Sequence, residues 1–153
     1  MAIEESTNFR RIDDRLTTSG VVGAERLEAL GAEGYEVVID LLPHDSPYAV
    51  AGEPDLITGQ GIEYISIPVD FEAPTEADLE QFFAAMDATT GKQRHVHCAA
   101  NARVSAFYSL YQLRNGQWTA EEGDAHIAGI WDPKDYPIWE AFIADQRRRL
   151  QGS

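Results

Sequence analysis

The stretch Gln93-Arg-His-Val-His-Cys98-Ala-Ala-Asn-Ala-Arg103-Val-Ser105 changes character twice. Up to Cys98 it is short enough for one strand. Ala99 to Ala102 is a turn of small residues. From about Arg103 to Leu113 nearly every residue is apolar or aromatic, which predicts a central helix buried on all sides. Strand, tight turn and helix together make the repeating unit of an α/β fold.

Working outward, Glu36-Val-Val-Ile-Asp-Leu-Leu42, ended by Pro43, reads as a strand covered on both faces. Gly61 to Val69 reads as another. Ile62, Tyr64, Ser66 and Pro68 lie on one side of it, Glu63, Ile65, Ile67 and Val69 on the other, and Asp70 at its carboxyl end. Amphipathic spacing predicts helices over Val21–Ala32, stopped at Gly34, over Thr119–Ile130 and over Lys134–Leu150. A further helix opens at Thr75, whose partner Asp78 imitates a capping box, and buries Leu79, Phe82, Phe83 and Met86. Asn8 to Ser19 suits a hairpin of short edge strands around Asp13-Asp14, and Pro43 to Gly61 reads as a loop. The expected architecture is α/β, a central, mostly parallel sheet flanked by helices, in a single domain over residues 1–153. In such sheets ligands sit at the carboxyl ends of the strands, where both Asp70 and Cys98 fall.

With 26 acidic against 12 basic side chains the 153-residue chain carries a formal charge of −14. A nucleic-acid backbone or an anionic membrane is therefore not its expected partner. The start MAIEES lacks a basic, apolar leader and no stretch approaches the roughly 20 apolar residues of a membrane span, so a cytoplasmic location is expected. Having Cys98 alone excludes an internal disulfide and a multi-cysteine zinc site.

The turn after Cys98 has the form of an anion cradle. Backbone N–H groups of Ala99, Ala100, Asn101, Ala102, Arg103 and Val104, with the positive end of a helix dipole, can converge on an oxyanion and favour a thiolate at the same place. Arg103 adds a planar fork of donors suited to two oxygens of a phosphate or sulfate. A cation at a helix N-terminus opposes the dipole, so an anionic partner is implied. Asn101 tolerates the left-handed conformation that such turns often need. His95 and His97 share a strand face and His97 suits a role beside the thiolate. No carboxylate ligand set is evident in the sequence, so no metal is expected.

These residues resemble the cysteine-dependent protein tyrosine phosphatases, in particular the compact dual-specificity branch and its bacterial DUF442-like relatives. The features that carry the resemblance are His97-Cys98, the pair Ala100-Asn101, an arginine and Ser105, and it covers most of the chain. It implies Cys98 as nucleophile, Arg103 as phosphate clamp, Ser105 as a hydroxyl assisting the leaving thiolate, and Asp70 as general acid. It implies no metal or organic cofactor, and a phosphorylated small molecule or phosphoprotein as substrate. The family places five residues between cysteine and arginine, whereas only Ala99 to Ala102 intervene here. Two arrangements remain open. Either the loop keeps its length and Val104 takes the usual arginine position, or it is one residue shorter, as in rhodanese-like sulfurtransferases. Catalysis through a phosphocysteine is the leading expectation. Phosphate binding without turnover, and sulfur transfer through a Cys98 persulfide, are the alternatives.

Overall fold

The computed structural model describes residues 3–151. Strands β1 (Arg10–Asp13), β2 (Leu16–Ser19), β3 (Val37–Asp40), β4 (Glu63–Ser66) and β5 (Arg94–His97) form one sheet in the order β1-β2-β5-β3-β4. β1 and β2 are antiparallel and every other neighbouring pair is parallel. Among the described residues six α-helices accompany them: α1 (Ala24–Ala29), α2 (Glu53–Thr58), α3 (Glu76–Ala88), α4 (Ala102–Arg114), α5 (Ala120–Ala128) and α6 (Pro137–Gln151).

Alternation along β3 shows how the layers arise. Val37 and Ile39 point into a large core shared with Leu79, Phe82, Phe83 and Met86 of α3, Phe107 of α4 and Trp139 of α6. Val38 points to the opposite face, where Leu27 of α1 and Ile57 of α2 cover it. The expected two-faced segment at Gly61 to Val69 divides in the same way: Ile62 and Tyr64 join the smaller core, and Ile65, Ile67 and Val69 the larger. Helix α4 runs through the large core with Val104 to Tyr111 all buried, as its mostly apolar and aromatic sequence requires. The capping box at Thr75 forms in both directions, and Thr119 with Glu122 makes a second one at the start of α5.

Several expectations need correction. The stretch Pro43 to Gly61 is not loop throughout, since it contains α2. Proline is tolerated in the first helical turn, and Pro54 stands there behind Gly52, whose φ is +76°. The second hairpin strand is not an edge. β2 lies between β1 and β5, with Thr17, Thr18 and Ser19 buried because their hydroxyls find partners inside. The first helix is shorter than expected, Ala24–Ala29 rather than Val21–Ala32. At the end of α6, Arg147 reaches Asp124 of α5, and Arg149 reaches Glu76 and Glu80 of α3.

Candidate active site

Cys98 follows β5 directly and is buried, and its N–H donates to Ser19 O across the parallel ladder at 3.3 Å. The turn that follows is held from outside by its carbonyls. Ala99 O accepts from Val21 N–H at 2.8 Å, and Ala100 O accepts from Asn8 Nδ2 at 2.9 Å. In a trans peptide the carbonyl and the next N–H point in opposite directions. The N–H groups of Ala100 and Asn101 are thereby turned to the other side of the loop. Asn101 adopts φ +67° at the N-cap of α4, as expected of asparagine in such a turn. Its Nδ2 donates to Asn8 O and Thr18 Oγ1, which fixes that geometry. The first N–H groups of α4, on Ala102, Arg103 and Val104, have no preceding helical carbonyl to bond. A row of donors and the positive end of a 13-residue helix follow the sulfur in the chain.

The N-terminal strands set how close the loop can come. A Cβ built on Gly20 would lie 2.4 Å from Ala99 O and 2.7 Å from Ala100 Cα. Only glycine admits this approach. Behind Gly20 runs a buried chain of hydroxyls and one imidazole. Ser19 O–H donates to Gly20 O, so His95 Nε2–H donates to Ser19 Oγ and His95 Nδ1 accepts from Thr17. Burial, helped by the neighbouring His97, pushes His95 well below the usual histidine range, in keeping with this neutral tautomer.

The structure distinguishes Arg103 from Val104. The Val104 side chain is fully buried in the large core and does not stand in for the arginine, so what it offers the loop is its N–H. The arginine available to the turn is therefore Arg103 itself, at the C-x4-R spacing of the sequence. Its guanidinium lies over the Phe71 ring, 5.2 Å from the centroid, and its Nε and Nη1 are buried without a hydrogen-bond partner among the described residues. Phe71 is itself fixed: Trp139 Nε1–H donates to its carbonyl at 2.7 Å, and Trp131, Tyr136 and Trp139 pack on its ring.

Asp70, beside Phe71, is exposed, and its Oδ1 accepts from Glu72 N–H in a local turn. It lines an open cleft of about 670 Å3 with Pro43, His44, Asp45, Ser66 and Pro68. β4 ends at Ser66, but the chain continues alongside β3, with Ile67 N–H bonded to Asp40 O and Val69 N–H to Leu41 O. Asp70 therefore emerges at the carboxyl end of the sheet, as expected. Ser105 Oγ accepts from Trp131 Nε1 at 2.9 Å and donates its proton to Ala102 O at 2.9 Å. Its hydroxyl ties the cysteine helix to the segment after α5, and a donor role toward sulfur would require it to turn away from Ala102.

His97 is buried between two carboxylates: Nε2 lies 2.6 Å from Glu53 Oε2 and Nδ1 3.7 Å from Asp40 Oδ1. Burial lowers its pKa, but Asp40 and the hydrogen bond with Glu53 outweigh that and push it up to about 9. The sequence reading found no carboxylate set beside the histidines, yet Asp40, Glu53 and His97 form one. The contact with Glu53 is nevertheless that of a hydrogen bond, because two ligands roughly 2.0–2.2 Å from a shared zinc would stand about 3 Å or more apart. Sequence reasoning missed Glu53 because it fell in a presumed loop, and missed Gly20 because closeness of approach leaves no pattern in the sequence.

Comparison with known proteins identifies the family and the fold. Residues 3–130 match the family model of a DSP-PTPase phosphatase fused to NAD+ kinase. A DUF442-family protein from Shewanella putrefaciens is 36% identical, covering 94% of this chain and 91% of its own, with a TM-score of 0.85. TpbA of P. aeruginosa, crystallised with phosphotyrosine, shares the fold at 15% identity and a TM-score of 0.70, covering 95% of this chain and 91% of its own. A beta-lactamase hydrolase-like protein of Xylella fastidiosa is 27% identical over 146 residues, 92% of this chain, and the chain spans 33% of that relative's length. The fold is thus that of an established group, and the chain belongs to the DSP-PTPase family of protein tyrosine phosphatase-like hydrolases, in its DUF442-like branch.

Proposed function

We propose that the protein hydrolyses phosphomonoesters through a phosphocysteine at Cys98. The observation that carries this reading is the buried guanidinium edge of Arg103, without a partner among the described residues, which follows a turn whose first two carbonyls, Ala99 O and Ala100 O, are bonded outward. Buried donors of that kind are costly unless an acceptor arrives, and a phosphoryl group supplies several. Cys98 Sγ attacks phosphorus as the ester P–O bond breaks. Arg103 and the N–H groups of the turn take up the equatorial oxygens. Asp70 protonates the departing oxygen, then as a carboxylate accepts a proton from the water that cleaves the S–P bond and releases phosphate. The rest of the substrate, a small molecule or a phosphoprotein segment, lies in the cleft beside Asp70. Asp45 and Asp70 there disfavour polyanions.

Hydrolysis of para-nitrophenyl phosphate at mildly acidic pH tests this directly. Cys98→Ser abolishes turnover, and Asp70→Asn lowers kcat by about 100-fold; equal rates in wild type and Cys98→Ser overturn the mechanism. A phosphate-binding protein without turnover would instead show phosphate-dependent thermal stabilisation that Arg103→Ala removes. The four-residue spacing from Cys98 to Arg103 favours one further reading, sulfur transfer. It predicts one added sulfur on Cys98 by mass spectrometry after thiosulfate treatment, and an unmodified protein excludes it.

A further inference from the structure

Directly behind the cysteine turn lies a buried cluster of ionisable groups that the reaction above does not use. Asp40 ends β3 and His97 ends β5, opposite one another in register, and Glu53 opens α2. Asp40 is 3% exposed, Glu53 4% and His97 2%. Two carboxylates buried around one imidazole are costly to desolvate, and apolar replacements of such groups are often neutral or stabilising. Stability alone is therefore a poor reason for them. Each carboxylate is also aimed. Glu53 Oε2 accepts from His97 Nε2 at 2.6 Å. Asp40 Oδ1 accepts from Leu42 N–H, and its Oδ2 accepts from Tyr64 O–H at 2.6 Å. The Tyr64 oxygen accepts in turn from His44 Nε2, exposed in the cleft, at 3.0 Å.

We infer that Glu53, assisted by Asp40, is a positioning residue for the Cys98 nucleophile, holding His97 in one orientation as an imidazolium immediately before the cysteine turn. The inference rests on the reading of Cys98 as nucleophile. A fixed cation there stabilises the attacking thiolate, and it stabilises the same sulfur as leaving group when the S–P bond breaks. Glu53 and Asp40 act only through His97. The other groups facing His97 leave the charge on it. His95 stacks on it at 6.0 Å between ring centroids and is kept neutral by burial and by the His97 charge. Tyr64 is raised by burial and by its bond to Asp40, so it stays a neutral donor. From β2, register neighbour Ser19 contributes no charge.

Glu53→Gln keeps the shape of the side chain and removes its charge. Three readouts decide the matter: the pH titration of His97 ring nitrogens by NMR, the rate of Cys98 alkylation by iodoacetamide at pH 7, and the pH profile of para-nitrophenyl phosphate hydrolysis. In the wild type His97 titrates near pH 9, and in Glu53→Gln at lower pH. Alkylation slows by about tenfold, the rate effect of about 1.4 kcal/mol, and the basic limb of the hydrolysis profile moves to lower pH. A folded Glu53→Gln with unchanged alkylation and an unchanged profile overturns the inference, since a merely structural residue would alter stability without moving either. Should Glu53→Gln not fold, Tyr64→Phe carries the test by releasing Asp40. Slower alkylation supports the inference and an unchanged rate overturns it. If wild type and Cys98→Ser hydrolyse the ester equally, the phosphatase reading fails, while His97 titration and alkylation still judge this inference separately.

Discussion

At the scale of single residues, the site depends on one absence and one substitution-intolerant stack. Gly20 lacks the atom that would press on Ala99 O and Ala100 Cα, and both obstacles are backbone that cannot rotate away. Gly20→Ala therefore displaces the cysteine turn. The expected cost in urea unfolding is about 1–3 kcal/mol. Because the reacting geometry moves with the turn, kcat/KM of the folded protein drops by about 100-fold; retained activity would show that the turn is not so tightly held. The Arg103 guanidinium is supported by an aromatic face, and Phe71 owes its place to Trp139 far along the chain. Neither contact can be read from the local sequence, which identifies the arginine but not the surface it rests on.

Elements differ in how much of themselves they announce. Helix α3 was legible because its signals are local: Thr75 and Asp78 cap each other across one turn, and the buried stripe has helical spacing. Thr75→Ala leaves the first-turn N–H groups without their acceptor. It lowers stability by about 1 kcal/mol, or about 3 °C in Tm for a chain of this size, and leaves hydrolysis unchanged because α3 carries no site residue. Calorimetry and the ester assay check both halves. By contrast β2 reads as an edge, since Thr17, Thr18 and Ser19 are polar, and α2 reads as loop, since Gly52 and Pro54 punctuate it. The first of these errors has a long-range origin. Burial of a polar strand depends on partners such as His95 and Asn101, distant in sequence, that take up its hydroxyls.

Across the whole molecule, the two stacked histidines set opposite pH limits. His97 is raised above its ordinary 6.5 to about 9, so its contribution is fully present below about pH 6.5 and is lost as pH climbs through about 9. His95 is held below 6.5, so what it contributes is present above that pH and is lost as pH falls. Their sum places a stability maximum near pH 6.5. His97→Gln removes the decline on the basic side and, by leaving two buried carboxylates unpaired, costs about 3–5 kcal/mol near the maximum. Urea unfolding between pH 5 and pH 9.5 reports both effects, and a flat wild-type profile from 6.5 to 9.5 contradicts the assignment. Among the described residues no helix is long and apolar enough to cross a membrane.

The five strands in their chain order, the helices other than α2, the two faces of the Gly61 to Val69 segment, the buried character of α4 and the left-handed Asn101 in the turn after Cys98 were legible in the sequence alone. Each depends on spacing over a few residues, where period and side-chain chemistry suffice. Only the tertiary structure decided which of Arg103 and Val104 faces the core, that Ser105 serves Trp131, and that Asp40 and Glu53 close on His97. Those facts join residues tens of positions apart, and the packing of strands and helices into layers, not any local preference, brings them within hydrogen-bonding distance.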